Sequence, residues 1–386
     1  MPFILFHMDS IFNSKTSLST QLKIAITLLI ISILISCKTE EIKKSNVPSE
    51  LKYAKGFTIE KEGERRILKI FLAYQGAKEV SSYRFDRKPS SESIQIPIRS
   101  IVPTSTTHIP MIELLGEERS IVGFPSTNFV SSEKTRKLID SGQIKEVGIK
   151  GNLNTEILLE LKPEAVVSYA VNAPEKSLSL IERTNIPVIY NGDWLETSPL
   201  GKAEWIKVFG LLFDKEKEAD SIFKAIEKEY LTAADLAKKS NLTPTILSGA
   251  IMSNDIWNLP AGESYVAQFL KDANTNYLWQ TTEGKGSLNL SFESVFEKAK
   301  DAEFWIAPGY FSSKQQMVQA NKLYAEFEAF KNDKVYTPTT KQGASGGVLY
   351  YELATIRPYL VLKDIIKITH PEVLPDYELT FFEKMN

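Results

Sequence analysis

The sequence contains a single cysteine, Cys37, and only three histidines among its 386 residues. One cysteine cannot form an intrachain disulfide, so the fold has to be stabilised by its apolar core. The histidines, His7, His108 and His370, are too few and too dispersed for a His-rich zinc or manganese site. The formal net charge of −2 provides no excess of basic residues for binding nucleic acid.

Long hydrophobic runs are also scarce. The strongest run covers residues 24–35, a length that is typical of a signal-peptide core and short for a transmembrane helix. It ends in the tetrapeptide Leu-Ile-Ser-Cys37, which resembles a bacterial lipobox. We therefore expect residues 1–36 to be a lipoprotein signal peptide and Cys37 to carry acyl chains such as palmitate that anchor the protein to a membrane. The alternative is a buried cysteine at the end of a signal anchor.

The chain contains a pattern that occurs twice. Residues 154–165 begin with Asn, residues 291–302 begin with Ser, and each segment runs into an apolar stretch of about four residues. Glutamate occupies the third position of both copies, as Glu156 and Glu293. Each copy predicts a capped helix, a turn and a buried strand. A repeat spaced by about one domain length predicts two similar α/β lobes.

Strand and helix patterns alternate along most of the chain. They predict an α/β fold of two Rossmann-like lobes with mostly parallel sheets, joined by a long α-helix. The apolar stripe of residues 214–239 predicts one helix about 39 Å long, or two shorter helices split near Asp214. The predicted domains are a signal peptide (1–36), a flexible tether (37–54), an N-terminal β-strand extension (55–98), an N-terminal lobe (99–198), a connecting helix (199–240) and a C-terminal lobe (241–386).

Several short motifs occur in a specific order between residues 99 and 370. They are Ser-Ile-Val-Pro-Thr-Ser-Thr-Thr-His-Ile-Pro-Met-Ile-Glu-Leu-Leu-Gly at 100–116, Val-Gly at 122–123 and 147–148, Asn-Thr-Glu-Ile-Leu-Leu-Glu-Leu-Lys-Pro-Glu-Ala-Val-Val at 154–167, Ile-Pro-Val at 186–188 and Ala-Gly-Glu-Ser at 261–264. This order resembles the class III substrate-binding proteins of ABC importers, the ferric-siderophore and cobalamin periplasmic binding family. The strands of residues 55–98 lie outside the common core of that family, and the sequence assigns them no role.

The resemblance implies a protein without catalytic residues or a protein-bound metal, and without a covalent cofactor other than its lipid. It implies a location on the periplasmic side of the cell envelope and an iron chelate (siderophore or haem) or cobalamin as the ligand. In the family, one glutamate on each lobe docks onto arginines of the permease dimer, and by position these are Glu156 and Glu293. Carboxylates in a first helical turn also interact favourably with the helix dipole, so both roles can hold together. A scavenging lipoprotein without a permease is the alternative function.

Candidate ligand contacts follow from the rule that ligands of parallel sheets bind outside the carboxyl ends of the strands. Aromatic side chains there suit a large, flat ligand, although each of them also fits a core position. His108, in the first turn of a predicted helix, could ligate iron or cobalt, or form a simple hydrogen bond. A stiff connecting helix further predicts a largely preformed cleft. The candidate contacts are Thr106, Thr107, His108, Tyr169, Tyr190, Trp194, Ser253, Asn254, Trp257, Tyr310, Ser345 and Tyr350.

Two other functions fit parts of the sequence. The segment Gly-Ala-Ser345-Gly-Gly matches G-x-S-x-G, and Asp364 and His370 follow in the order of a hydrolase triad. However, the serine of a G-x-S-x-G motif in a hydrolase directly follows a strand, whereas Ser345 does not. The chain after Ser345 is also too short for the rest of a hydrolase sheet. A bilobal metal-ion-binding protein would need more histidines than this chain contains.

Overall fold

The structure, a computed structural model, describes residues 51–149, 152–252 and 256–386. The predicted signal peptide, Cys37 and the candidate contacts Ser253 and Asn254 lie outside these residues. Among the helices of the described ranges, none combines the length and the apolar character that crossing a membrane requires.

Strands and helices alternate through most of the described chain, as the sequence predicts. The described strands are β1 (Phe57–Glu62), β2 (Arg65–Ile70), β3 (Ser81–Asp86), β4 (Ile94–Gln95), β5 (Ile101–Pro103), β6 (Gly123–Phe124), β7 (Lys145–Glu146), β8 (Gly148–Ile149), β9 (Asn152–Leu153), β10 (Ala165–Ser168), β11 (Val188–Tyr190), β12 (Thr245–Ser248), β13 (Ala250–Ile251), β14 (Ile256–Pro260), β15 (Asn276–Tyr277), β16 (Ser287–Ser291), β17 (Phe304–Ile306), β18 (Val335–Thr337) and β19 (Glu383–Lys384). The described α-helices are α1 (His108–Leu114), α2 (Glu133–Asp140), α3 (Thr155–Leu161), α4 (Lys176–Glu182), α5 (Pro199–Glu204), α6 (Ile206–Leu212), α7 (Glu216–Ala237), α8 (Tyr265–Asp272), α9 (Phe292–Ala299), α10 (Lys314–Ala320), α11 (Glu328–Lys331), α12 (Leu349–Leu353) and α13 (Pro358–Thr369).

The N-terminal lobe is built on a parallel sheet. Strand β10 lies between β5 and β11 and pairs with both in parallel. A parallel bridge between Ile101 and Ile121 extends the pairing beyond β5, and β6 pairs in parallel with β7. All four residues of β10 are buried, as expected for a strand of a parallel sheet that is covered on both faces.

The C-terminal lobe contains its own sheet, in the order β15-β12-β17-β18-β19. Its pairings are parallel except for that of β19 with β18. The lobe also contains an antiparallel sheet of β13, β14 and β16, which was not predicted from the sequence. In the described residues the sheets of the two lobes share no strand, so the prediction of a two-lobed α/β fold is confirmed.

Three helices, α5, α6 and α7, replace the single connecting helix that was predicted for residues 199–240. One break lies at Asp214, which has a left-handed φ of 56° and is the residue near which the alternative prediction placed a split. Helix α7 has 22 residues and is therefore about 33 Å long. It packs against α6 on one side of the break and against α13 of the C-terminal lobe, and so joins the two lobes.

The N-terminal extension forms a four-stranded sheet in the order β1-β2-β3-β4. Strands β1 and β2 form a hairpin, because they pair antiparallel around a two-residue turn. Gly63, with a φ of 63°, provides the left-handed position of that turn. Phe57 of β1 packs against Trp205, with ring centroids 4.6 Å apart, and this contact joins the extension to the helices that connect the lobes.

Two buried glutamates hold the chain segment that precedes β1. Glu204 of α5 accepts hydrogen bonds from the backbone N–H groups of residues 52–54 at 2.8 to 3.1 Å. Glu196 accepts hydrogen bonds from the N–H groups of residues 55–56 at 2.8 and 3.0 Å. Hydrogen bonds to a carboxylate are stronger than neutral ones and fix the backbone here. The prediction of a flexible tether extending to residue 54 is therefore wrong at its C-terminal end.

The two lobes also touch directly, at a site that we call the interlobe contact (residues 130–132 and 345–352). Glu352 of α12 is buried and accepts hydrogen bonds from the backbone N–H groups of Ser131 at 2.5 Å and Ser132 at 2.9 Å. Ser345 donates a hydrogen bond to the carbonyl oxygen of Val130 at 2.8 Å. Helix α12 also packs against α1 of the N-terminal lobe. The lobes are thus joined both through α7 and through this contact.

The close approach of the lobes gives a testable expectation for Gly347. A Cβ atom at this position would lie 2.2 Å from the backbone oxygen of Phe129 and 2.6 Å from Oγ of Ser131. We expect Gly347→Ala to destabilise the protein by about 1–3 kcal/mol, because the lobes would have to separate locally. Urea unfolding measures this change. Gly286→Ala is the control, since a Cβ there meets nothing within 4 Å, and equal stability of the two variants would contradict the observed contact.

Candidate functional site

A cavity of about 850 Å³ lies between the lobes, and we call it the interlobe cavity. The N-terminal extension, the N-terminal lobe and the C-terminal lobe all contribute to its wall. The extension contributes the loop of residues 72–76, and the N-terminal lobe contributes Trp194 and Leu195. The C-terminal lobe provides the remaining lining, which includes Ser248, Gly249, Asn258, Glu263, Tyr265, Phe269, Lys285, Ala307, Tyr350 and Tyr351.

The strand order explains why these residues meet. Strand β12 ends at Ser248 and β17 ends at Ile306, and both residues line the cavity. In the N-terminal lobe, β11 ends at Tyr190, and Trp194 follows in the next loop. The cavity therefore lies at the carboxyl ends of the parallel strands, where open α/β sheets bind ligands.

Aromatic side chains dominate the part of the wall that both lobes share. The Tyr350 and Tyr351 rings lie 5.7 Å apart at an angle of 80°. The indole Nε1 of Trp194 is buried and has no hydrogen-bond partner in the part of the chain that the structure describes. The tyrosine rings of this wall can therefore stack against a flat ligand.

The charged groups of the lining are few. Glu263 is the carboxylate and Lys285 the cation among the described residues that line the interlobe cavity. In the described ranges no group of three or more His, Cys, Asp and Glu residues is arranged to hold a metal ion. The lining thus offers apolar surface and hydrogen bonds rather than a set of metal ligands.

Two of the predicted ligand contacts, Trp194 and Tyr350, lie in the wall of the interlobe cavity. A third, Thr107, lines a smaller cavity of about 180 Å³. The two cavities share Tyr350 and three other lining side chains, so they are neighbours. The structure therefore brings these three predicted residues into one region.

Other predicted contacts lie near the protein surface and line neither of these two cavities. Tyr310 is 75% exposed. Burial and the neighbouring Tyr310 raise the pKa of Tyr351, which lines the interlobe cavity. Thr106 is half-buried and Tyr169 is 42% exposed, and neither is in contact with the interlobe cavity.

The structure places two predicted aromatic contacts, Trp257 and Tyr190, in the core instead. Trp257 is fully buried in the C-terminal lobe and stacks on Trp305, with ring centroids 5.1 Å apart. Tyr190 is also buried, and its hydroxyl donates a hydrogen bond to Glu182 at 3.0 Å. Successive residues of a strand point to opposite faces, and these two strand residues face the core. We therefore exclude both from the candidate site.

His108 does not fit the prediction of a metal or ligand contact. Its side chain is fully buried and packs against Phe209, with ring centroids 5.5 Å apart. Burial lowers the pKa of the imidazole to about 3, so the ring is neutral at physiological pH. Although neither ring nitrogen has a hydrogen-bond partner in the described chain, the ring is enclosed by the core of the N-terminal lobe.

Ser345 belongs to the interlobe contact rather than to the cavity wall, because its hydroxyl donates to Val130. The other members of the proposed hydrolase triad have separate partners. Asp364 accepts hydrogen bonds from the backbone N–H groups of residues 380–382, and the Nε2 atom of His370 contacts the carbonyl oxygen of Ala273 at 3.0 Å. No hydrogen bond joins the three side chains in the described structure, so they form no triad.

Three contributors to the site were not predicted from the sequence. The loop of residues 72–76 reaches the cavity through tertiary packing, in which the N–H of Gln75 donates to the carbonyl oxygen of Val171 at 2.9 Å. No local sequence pattern predicts such a contact. Tyr265 directly follows the Ala-Gly-Glu-Ser motif, whose serine caps α8, and this motif could have indicated it. Lys202 lines the smaller cavity from α5.

The two glutamates of the repeat occupy equivalent positions. Glu156 lies in the first turn of α3, two residues after the capping residue Asn154. Glu293 lies in the first turn of α9, two residues after the capping residue Ser291. Both side chains are exposed. Hydrogen bonds with its own backbone N–H and with Ser291 lower the pKa of Glu293, so this carboxylate is charged at neutral pH.

Comparison with known proteins agrees with this architecture. The chain is 25% identical over 374 residues to an uncharacterized lipoprotein of Methanocaldococcus jannaschii, covering 89% of this chain and 87% of that one. Among solved structures, a possible iron-binding, periplasmic solute-binding protein from Staphylococcus epidermidis matches with a TM-score of 0.54 and 17% identity, over 71% of this chain and 99% of that one.

A periplasmic haem-binding protein from Pseudomonas aeruginosa matches with a TM-score of 0.55 and 16% identity, covering 75% of this chain and 98% of that one. At these identities the likeness to the solved structures shows the fold alone. The sequence profile of the periplasmic binding protein family matches residues 101–341, well over half of the chain. The chain therefore belongs to the periplasmic binding protein family, whose members bind solutes for ABC importers and are not enzymes.

Proposed function

We propose that the protein captures a metal chelate, either an iron chelate (siderophore or haem) or cobalamin, in the interlobe cavity and delivers it to an ABC permease. The lining of the cavity supports this proposal most directly. It combines Trp194, Tyr265 and Tyr350 with a single carboxylate in the described residues. Such a wall suits a large, partly apolar ligand whose metal is already coordinated by its own chelator.

The proposal includes the location of the protein. A lipid on Cys37 would hold the folded part at a membrane of the cell envelope, facing the periplasmic side. The lipobox of the sequence supports this anchoring, and so do the matching relatives that are named lipoproteins. The names of the haem-binding and iron-binding structural neighbours support the choice of ligand class.

The proposed docking to a permease rests on the two equivalent glutamates. Glu156 and Glu293 are exposed, lie one on each lobe and follow their capping residues at the same spacing. Two carboxylates in such positions can each meet an arginine of a two-fold symmetric permease and fix the docking orientation. A scavenging lipoprotein without a permease would leave both of them without this function.

Tryptophan fluorescence tests the location of the ligand. We expect hemin, cyanocobalamin or a ferric siderophore to quench the fluorescence of the wild-type protein. Trp194→Phe should remove much of this quenching and weaken binding by about 2- to 10-fold, because it removes an indole from the cavity wall.

Trp279→Phe serves as the control, since Trp279 is buried and is not part of the lining of the interlobe cavity. Its quenching and affinity should equal those of the wild type. Unchanged quenching and unchanged affinity in the Trp194→Phe variant would place the ligand somewhere else.

Transport tests the docking glutamates. We expect the double variant Glu156→Arg, Glu293→Arg to abolish uptake of the bound chelate, because it sets like charges against the permease arginines. Its affinity for the chelate in solution should equal that of the wild type, since neither residue lines the interlobe cavity.

The same two helices provide a matched control. Glu160 and Glu297 lie one turn further along α3 and α9 and are also exposed. Glu160→Arg, Glu297→Arg makes the same change of net charge and should retain uptake. Loss of chelate affinity in the first variant, or equal loss of uptake in both, would show that the docking role is misassigned.

A further inference from the structure

A small side cavity of about 180 Å³ borders the interlobe cavity. The two share the side chains of Tyr265, Phe269, Tyr350 and Tyr351 as a common wall. The side cavity is therefore within reach of a substituent on a ligand that fills the larger space. Its remaining lining differs in character, because it contains a lysine and two threonines.

The lysine is Lys202 of α5, and its side chain is mostly enclosed, with only 8% of the residue exposed. The ammonium group lies 4.1 Å from the centroid of the Tyr265 ring. In the described chain it has no carboxylate within 4.0 Å and donates no hydrogen bond to a protein atom. A buried ammonium group normally has such partners, because transfer out of water is costly.

Asp193 is an acidic neighbour of Lys202, but the two residues form no ion pair in the described structure. Burial raises the pKa of the Asp193 carboxyl to about 6, and the charge of Lys202 acts in the opposite direction. The Oδ2 atom of Asp193 itself has no hydrogen-bond partner in the described residues. Attraction between the two residues partly compensates the lysine charge but leaves its three N–H donors unused.

Two hydroxyl groups accompany the lysine. Thr107 lines the side cavity from the N-terminal lobe, and its hydroxyl forms a hydrogen bond of 2.9 Å with that of Ser105. Thr355 lines the cavity from the C-terminal lobe. A cation and hydroxyl donors around a small space form an environment for an anionic group.

We propose that the side cavity binds a carboxylate arm of the ligand, with Lys202 as its cationic partner. This inference rests on the proposed function, because it takes the interlobe cavity to hold the body of the chelate. It also makes Lys202 a determinant of specificity. Haem carries two propionates and some siderophores carry free carboxylates, whereas the corrin ring of cobalamin carries amides. The lysine therefore selects ligands with a free carboxylate.

The test compares ligands that carry a free carboxylate with ligands that lack one; hemin and its dimethyl ester differ only in this group. Affinities of hemin and of hemin dimethyl ester are measured by absorbance titration, together with a ferric carboxylate siderophore and a neutral ferric trihydroxamate. The wild-type protein should prefer the carboxylate member of a pair by about 10-fold or more. Lys202→Met should weaken binding of that member by about 10- to 100-fold and leave the uncharged member within about 3-fold.

Three further variants complete the design. Lys202→Arg should keep the preference because it keeps the cation, and Lys228→Met, an exposed position on α7, should behave as the wild type. If Lys202→Met fails to fold because it leaves Asp193 uncompensated, the double variant Asp193→Asn, Lys202→Met keeps the region neutral and makes the same comparison.

The outcomes separate this inference from the proposed function. Equal binding of both members of a pair by the wild type, or an equal loss for both in Lys202→Met, would overturn the role of Lys202 and leave chelate capture intact. Binding of none of the four compounds would overturn both the inference and the capture of iron chelates from which it starts.

Discussion

The interlobe cavity exists only if the two lobes keep a fixed distance from each other. The connecting helices hold the lobes together at one place, and a buried carboxylate of the interlobe contact holds them at another. Glu352 of the C-terminal lobe accepts two backbone hydrogen bonds, from Ser131 and Ser132 of the N-terminal lobe. Burial raises its pKa, while these hydrogen bonds oppose that rise. A hydrogen bond to a charged group contributes about 1.5–3 kcal/mol net of its exchange with water, so these two bonds favour the lobes in contact. Together with α7, this contact favours the predicted preformed cleft over a widely hinged one.

The N-terminal extension is also held in place by buried carboxylates. Glu196 and Glu204 bind the backbone ahead of β1 and fasten the extension to the helices between the lobes. The loop after β2 is thereby positioned in the wall of the cavity, where Tyr74 and Gln75 face the ligand space. The extension is thus part of the candidate site, although the family profile begins only at residue 101.

The sequence predicted those features that depend on local pattern and repetition. The duplicated helix-turn-strand unit predicted two lobes and the equivalence of Glu156 and Glu293, and strand order located Trp194 at the mouth of a strand. Residue type alone could not separate a site from a core. Trp257 and His108 carry the side chains that a binding site uses, yet the orientation of a strand and the packing of a helix enclose both of them.

Features made by contacts between distant segments escaped prediction. Gly347 packs against Phe129, and Lys202 lies over the ring of Tyr265. No local sequence pattern indicates either contact. The antiparallel sheet of β13, β14 and β16 was missed for a related reason, since its short strands pair through tertiary context. Lys202 and Tyr265 nevertheless line the side cavity. The antiparallel sheet contributes Asn258 of β14 and Ser287 of β16 to the wall of the interlobe cavity.

The central claim is that a metal chelate occupies the space between the lobes. Anomalous diffraction at the absorption edge of the bound metal tests it most directly, using crystals of the protein with hemin, a ferric siderophore or cyanocobalamin. We expect one metal peak inside the interlobe cavity, beside Trp194 and Tyr350, with no protein side chain replacing the chelator around the metal. A peak outside this cavity, or a metal stripped of its chelator and held by protein carboxylates, would contradict it.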